Sequence, residues 1–237
     1  MFATGCGIAE RTAADRFTET GELIALSGGD AGAANACFTC HGRDGQGNGA
    51  DTPRLAAIDA GYLAAQLEAY ASGRRKNARM ENIARKLTLD ELRMVAAYYA
   101  SLPAPVRVGT SSDGRGRKLY HEGDSRRGIP ACVTCHGADG SGVGSANPPL
   151  SGQPAAYLAE QIAAWQRSDR RNDPENLMLD ISRRLSPEEA EAVSAYAAAL
   201  PLGPPRPESR GASLEGHRGD PRNDVSVPLP RAAAPGR

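Results

Sequence analysis

Apolar residues recur at helical spacing in two separate stretches of the chain. In the first stretch, Leu63, Leu67 and Tyr70 follow the four-then-three spacing of one helix face. The same spacing recurs later at Leu158, Ile162 and Trp165. No stretch alternates apolar and polar residues with the two-residue period of a half-buried strand. The pattern therefore predicts an all-α fold with essentially no β-sheet.

A second helix is predicted in each half of the chain by its start and stop signals. Residues 88–91 (TLDE) and 186–189 (SPEE) have Ser or Thr at the first position and Glu at the fourth, which is a capping box. Pro187 then occupies the first helical position of the later helix. Both predicted helices stop at a Leu-Pro pair, at residues 102–103 and 200–201.

The two halves of the chain are repeats of one another. A shift of 95 positions aligns Cys37 with Cys132. An insertion of three residues near 172–175 then moves the offset to 98, which aligns Met80 with Met178. Other aligned pairs are Gly21 and Gly116, Pro53 and Pro148, Tyr62 and Tyr157, and Gln66 and Gln161.

The repeat predicts two domains, residues 20–103 and residues 114–201. Residues 104–113 lack periodicity and are predicted to link them. We expect two domains joined by so short a linker to pack together, with the edges of any bound cofactors close. Residues 1–19 form an N-terminal extension. Residues 202–237, rich in Pro, Gly and Arg, are predicted to be a disordered tail.

Composition narrows the possible functions. Hydrophobic residues make up 40% of the chain but aromatic residues only 5%, so there is little bulky material for a large protein-only core. A large apolar cofactor would fill that gap. Lys and Arg number 28 against 28 Asp and Glu, with no basic stripe, so nucleic acid is not an expected partner. No apolar stretch reaches the roughly 18 residues of a membrane span.

Four of the five cysteines fall in two identical local patterns. Residues 37–41 read CFTCH and residues 132–136 read CVTCH, both of the C-x-x-C-H form that marks covalent haem c attachment. A zinc ribbon would need its two cysteine pairs about 15 to 20 residues apart, far closer than these two motifs. Each pair is therefore predicted to form thioethers with one haem and each histidine to be the proximal iron ligand: Cys37, Cys40 and His41, then Cys132, Cys135 and His136.

Met80 and Met178 are the predicted sixth iron ligands. Of the four methionines, Met1 is terminal, and Met94 lies inside the first closing helix opposite Ala192 in the repeat. Met80 and Met178 instead align with each other, in predicted loops just before the closing helices. The alternative is that both are core methionines. Ligation by Met and His raises the reduction potential of a haem, which suits an electron carrier.

These motifs resemble cytochrome c4, the tandem dihaem family of class I cytochromes c. The resemblance covers residues 20–201 and is strongest in the second half, for example at GIPACVTCHGADGSG and NPPLSGQPAAYLAEQIAAW. The first half departs from the family at NARMENIARKL, where the family usually has an NDP-type run ending in paired methionines. The resemblance implies that the backbone carbonyls of Pro53 and Pro148 accept a hydrogen bond from the haem-histidine Nδ1 atoms.

The resemblance also implies a function, that of a periplasmic electron carrier, not an enzyme, between a quinol-oxidising cytochrome bc-type complex and a terminal oxidase. An alternative is the electron-accepting dihaem subunit of a dehydrogenase, of the flavocytochrome sulfide dehydrogenase or alcohol dehydrogenase type, because this needs the same haem domains. A third is a dihaem enzyme such as a peroxidase or a thiosulfate dehydrogenase. An enzyme would need an iron with a vacant or unusual ligand position. The aligned Met80 and Met178 argue against this alternative, because they predict that both irons have a sixth ligand.

The expected location follows from where the family's haem is attached, outside the cytoplasmic membrane. The start MFATGCGIAE has neither the basic nor the apolar region of a signal peptide. The run ending at Cys6 loosely resembles a bacterial lipobox, although Ala3 stands where Leu is usual. A lipidated Cys6 holding the protein at a membrane is therefore one hypothesis, and a free cysteine is the other.

Overall fold

The computed structural model describes residues 20–105 and 114–201, and its regular elements there are helices with only isolated β-bridges. The predicted all-α class is therefore confirmed. The first domain contains α1 (Gly21–Ser27), α2 (Phe38–His41), α3 (Ala60–Ala71), α4 (Ala78–Ala84) and α5 (Leu89–Ser101). The second contains α6 (Gly114–Glu122), α7 (Val133–His136), α8 (Ala155–Gln166), α9 (Leu177–Ser182) and α10 (Pro187–Ala199). Short 3₁₀ turns cover Gly29–Ala31, Ala33–Asn35, Ser125–Arg127 and Pro174–Asn176.

Three predicted segments fall wholly or mostly beyond what the structure describes. They are the N-terminal extension 1–19, most of the linker (106–113), and the tail 202–237. Among the helices in the two described ranges, none has both the length and the apolar character needed to cross a bilayer.

Both closing helices start at the predicted capping boxes. The Thr88 hydroxyl accepts a hydrogen bond from the Glu91 N–H at 3.2 Å, and the Glu91 carboxylate accepts one from the Thr88 N–H at 2.7 Å. Ser186 and Glu189 make the same reciprocal pair, at 3.2 and 2.9 Å. Because each box satisfies two otherwise unpaired N–H groups, the start of each closing helix is fixed by local sequence.

In each domain the first helix crosses the closing helix at a glycine. A Cβ built on Gly21 would lie 2.1 Å from the Met94 carbonyl oxygen in α5, and one built on Gly116 would lie 2.1 Å from the Ala192 carbonyl oxygen in α10. No other residue type could stand at either crossing without moving a helix. The repeated pair Gly21 and Gly116 therefore lets two backbones touch and closes one side of each core.

The central tyrosine of the core lies on the closing helix in the first domain and on the first helix in the second domain. In the first domain, Tyr99 of α5 is 2% exposed and lies in the same hydrophobic cluster as Ala25 of α1, which is 1% exposed. In the second, Tyr120 of α6 is fully buried and Ala197 of α10 is 2% exposed. The repeat aligns Ala25 with Tyr120 and Tyr99 with Ala197, so the large and small residues have exchanged helices. This exchange keeps the summed side-chain volume of the core, as close packing requires.

The domains meet along a short antiparallel backbone contact. Arg75 and Arg170 form an isolated β-bridge. Lys76 N–H donates to the Asp169 carbonyl at 2.7 Å, and Arg171 N–H donates to the Arg74 carbonyl at 2.8 Å. The predicted packing of the two domains is thus present, and the proximity of two haem edges stays a prediction.

Two buried arginines complete this contact with an approximate two-fold symmetry. Arg75 donates to the Tyr157 hydroxyl of the other domain at 2.8 Å, and Arg170 donates to the Tyr62 hydroxyl at 3.0 Å. Each guanidinium also lies over an aromatic ring of its own domain, 4.6 Å from the Tyr70 centroid and 4.0 Å from the Trp165 centroid. Gln66 and Gln161 accept further hydrogen bonds from the guanidinium groups. Many directional contacts therefore fix one relative arrangement of the domains.

Candidate haem sites

Each C-x-x-C-H motif folds as a single helical turn. Cys37 precedes α2, and the His41 N–H donates to the Cys37 carbonyl at 3.0 Å. Residues three and four apart lie on one face of a helix, so Cys40 and His41 share a face with Cys37. Gly42 ends the turn with φ 80°, which favours glycine. The second motif repeats this geometry in α7, where Gly137 has φ 82°.

The four motif cysteines form no disulfide with one another. Burial raises the pKa of the Cys37 and Cys132 thiols to about 11, so before haem attachment both would be protonated at neutral pH. Within the described ranges, no group of three or more His, Cys, Asp or Glu side chains converges as a metal-binding cluster. Each pair is therefore free to bond to a cofactor that lies against the motif.

Both motif histidines are held by a proline carbonyl. His41 Nδ1 lies 2.9 Å from the Pro53 carbonyl oxygen, and His136 Nδ1 lies 2.9 Å from that of Pro148. A carbonyl only accepts hydrogen bonds, so Nδ1 carries the proton and Nε2 keeps its lone pair. Burial lowers the pKa of both imidazoles, although the proline carbonyls oppose this effect. A neutral imidazole with an available Nε2 is the form that ligates iron.

The loop between each histidine and its proline is shaped by the same hydrogen bonds in both domains. The carbonyls of His41 and His136 each accept an N–H six residues later, from Gly47 and Gly142, at 2.8 Å. Farther on, Leu55 N–H donates to Gly45, and Leu150 N–H donates to Gly140, again at 2.8 Å. These bonds return the chain to the histidine, which explains the twelve-residue spacing of His and Pro.

The structure corrects the predicted loops around the two methionines. Met80 lies in α4 and Met178 lies in α9, both near the helix start. The helix around Met80 forms because the Asn77 side chain caps it, accepting a hydrogen bond from the Met80 N–H at 3.1 Å. Both side chains are half-buried. Their role as sixth ligands to iron stays a prediction.

The two methionine segments are anchored differently. In the second domain the Asp173 carboxylate accepts from Trp165 Nε1 at 2.8 Å and from the Leu179 N–H at 3.2 Å. In the first domain, Arg79 reaches Cys40, with Nη1 3.4 Å from Sγ. At the position equivalent to Arg79, the second domain has Leu177, which is 50% exposed. The surroundings of the two sites are therefore unequal although the motifs are identical.

Sequence reasoning missed the polar residues that join the domains. Arg75 and Arg170 are aligned at the 95-residue offset, in step with the aligned tyrosines and glutamines, so the repeat contained a signal for them. Arg54, Ser151 and Gln153 are also buried at this contact. They have no such signal, because their repeat counterparts are Pro149, Ala56 and Ile58.

Comparison with known families agrees with the geometry. The cytochrome c family model matches residues 27–103 and 114–200, once for each domain. The chain belongs to the cytochrome c family. It is a dihaem c-type cytochrome, with one haem c attached covalently in each domain. The fit of the residues supports this, because each site combines two cysteines, which form no disulfide, with a neutral imidazole held by a proline carbonyl.

Three known proteins are similar to this cytochrome c over most of its length. The thiosulfate dehydrogenase electron acceptor of Stutzerimonas stutzeri (strain A1501) is 46% identical over 181 residues, covering 74% of this chain and 84% of that protein. A thiosulfate dehydrogenase (TsdBA) structure from Marichromatium purpuratum matches with 39% identity and a TM-score of 0.69. That match covers 77% of this chain but only 40% of the other. Reduced cytochrome c4 from Pseudomonas stutzeri is 32% identical, with a TM-score of 0.66, and the match covers 74% of this chain and 98% of that one.

Proposed function

We propose that this dihaem cytochrome is the electron acceptor of a thiosulfate dehydrogenase. The observation that carries the proposal is the extensive similarity to a protein of that name, which spans both haem domains. It favours the dehydrogenase-subunit alternative over a carrier between a cytochrome bc-type complex and an oxidase. The kind of dehydrogenase also differs from the sulfide and alcohol types expected from the sequence.

The stoichiometry of thiosulfate oxidation suits two haem domains. Joining two thiosulfate anions through a new S–S bond releases two electrons, and haem c supplies one-electron chemistry at its iron. The chain itself holds each proximal imidazole through a proline carbonyl, at 2.9 Å in both domains. It also fixes the domains through the buried Arg75 and Arg170. One protein can thus take up both electrons of a single oxidation without rearranging its domains.

The proposal is tested by mixing the oxidised holoprotein with the catalytic subunit of a thiosulfate dehydrogenase and following haem reduction by stopped-flow absorbance. When thiosulfate is added, we expect both haems to be reduced much faster with the catalytic subunit present than with it omitted. Parallel arms use a sulfide dehydrogenase with sulfide and a cytochrome bc-type complex with quinol. Background reduction in the thiosulfate arm, with fast reduction in another arm, would refute the proposal.

A carrier between a quinol-oxidising complex and a terminal oxidase is the second candidate. The similarity to cytochrome c4, in which 98% of the chain is matched, favours it. The quinol arm of the same experiment distinguishes the two functions, because a respiratory carrier must accept electrons from that complex at a comparable rate.

We also propose that the protein works outside the cytoplasmic membrane, in the periplasm, since haem c attachment takes place there in this family. Attachment to a membrane through a lipidated Cys6 is part of this proposal, although Cys6 lies outside the described residues. Mass spectrometry of the native N-terminus tests it. A lipidated Cys6 at the first position supports anchoring, and an unmodified N-terminus ahead of Cys6 eliminates it.

A further inference from the structure

A single peptide group in the first domain connects His41 to the second domain. This group, the 53–54 peptide, consists of the Pro53 carbonyl and the Arg54 N–H. Its carbonyl accepts a hydrogen bond from His41 Nδ1 at 2.9 Å, and its N–H donates to Gln153 Oε1 at 3.0 Å. A continuous chain of hydrogen bonds therefore runs from the imidazole, through one amide, to a side chain of the other domain.

The orientation of the Gln153 amide is fixed by a second bond. Its Nε2 donates to the Arg54 carbonyl at 2.9 Å, so Oε1 must face the Arg54 N–H. Arg54 is 1% exposed and Gln153 is 5% exposed. The Arg54 guanidinium also donates to the Ser151 carbonyl of the second domain at 3.2 Å. The second domain thus holds this peptide in a buried place, where hydrogen bonds are electrostatically stronger than in water.

The second domain cannot make the equivalent connection. His136 is held by the Pro148 carbonyl at the same 2.9 Å, but the next residue is Pro149. Proline has no backbone N–H, so the peptide between Pro148 and Pro149 accepts a hydrogen bond and donates none. The hydrogen-bond chain is therefore a property of the first domain alone, and it depends on contact between the domains.

We propose that Gln153 is a positioning residue that acts on His41 from the opposite domain and lowers the reduction potential of the first haem relative to the second. The hydrogen bond that the Arg54 N–H donates to Gln153 polarises the 53–54 peptide, so the Pro53 carbonyl becomes a stronger acceptor. The bond from His41 Nδ1 then strengthens, and the imidazole becomes a more basic ligand. A more basic ligand stabilises the oxidised iron, so this contact favours residence of the electron on the second haem. This effect requires His41 to be the proximal ligand, whichever partner delivers electrons.

The test compares the parent holoprotein with Gln153→Met and with the matched control Gln161→Met. Methionine keeps the length of the side chain but removes the carbonyl acceptor. Gln161 lies at the same contact and accepts hydrogen bonds from Arg75 and Arg170, but it touches neither proline carbonyl. Nuclear magnetic resonance of the reduced protein reports each histidine Nδ1–H and the exchange rate of the Arg54 amide. The same signals, followed through a redox titration, give the potential of each domain separately.

In Gln153→Met we expect the Arg54 amide to exchange faster and the His41 Nδ1–H signal to move upfield, with His136 unchanged. The reduction equilibrium of the first haem should shift about threefold toward the reduced form, which is about 30 mV at 59 mV per tenfold change. Gln161→Met should leave the Arg54 amide and the His41 signal at their parental values. The proposal is overturned if Gln153→Met leaves the reduction potential of the first haem unchanged. It is also overturned if Gln153→Met changes the potentials of the two haems only as much as Gln161→Met does.

Discussion

Replacement of Gly116 by alanine tests the close crossing of α6 and α10. The added Cβ would lie 2.1 Å from the Ala192 carbonyl oxygen and 3.0 Å from the Tyr196 Cβ. The nearest obstacle is backbone, so α6 must move away from α10 as a unit. Overpacking of this kind costs about 1–3 kcal/mol, and we take the upper end because a backbone cannot rotate aside. The better helix propensity of alanine returns about 1 kcal/mol, which leaves about 2 kcal/mol of destabilisation.

For a domain of this size, a loss of about 2 kcal/mol lowers the melting temperature by about 8–16 °C. Thermal unfolding of the holoprotein, followed by circular dichroism in the Soret region, measures this loss. The matched control is Gly114→Ala in the same helix, where a Cβ meets nothing within 4 Å. The control should melt at or slightly above the parental temperature. If Gly116→Ala melts within about 2 °C of the parent, the close crossing of α6 and α10 does not need glycine.

Two further substitutions test local contacts of the second domain. Trp165→Phe keeps an aromatic ring but removes the hydrogen bond that Trp165 donates to Asp173, so the segment before Met178 should become less ordered. Added imidazole should then bind the second haem more tightly than in the parent, and the first haem serves as the internal control. Arg127→Gln removes hydrogen bonds that lower the pKa values of Asp124 and Glu189. Lowered pKa values of these carboxyl groups stabilise the fold near pH 7, and this effect is lost progressively as the pH falls below about 4. The urea midpoints of variant and parent should therefore differ at about pH 7, and the difference should shrink as the pH is lowered further.

Local sequence was sufficient to predict several features because the interactions behind them span only a few residues. The C-x-x-C-H spacing requires one helical turn, and residues 88–91 and 186–189 contain both partners of each capping box. The repeat extended these local signals to both domains. The prediction of a loop at Met80 was wrong because Asn77 caps a helix there that the apolar pattern does not reveal. The prediction of a loop at Met178 was also wrong, since Met178 lies in α9.

Contacts between distant residues could not be read from the same patterns. The central tyrosine lies on the closing helix in the first domain, as Tyr99, and on the first helix in the second domain, as Tyr120. This difference depends on the total volume of each core, which the sequence of one helix does not reveal. The bond between Arg54 and Gln153 joins residues 99 apart in the chain, and their repeat counterparts differ in type. Only the folded arrangement brings the 53–54 peptide to that glutamine.

Met80 and Met178 are predicted to be the sixth ligands of the two irons, so we expect the protein to carry electrons and not to bind a substrate at iron. Carbon monoxide titration of the reduced holoprotein tests this most directly. We expect the parent to take up no carbon monoxide and Met178→Ala to take up one equivalent per chain. Met94→Ala, inside α5, should behave as the parent. Uptake of carbon monoxide by the unmutated protein would contradict the ligand assignment and indicate an open iron site of the kind an enzyme needs.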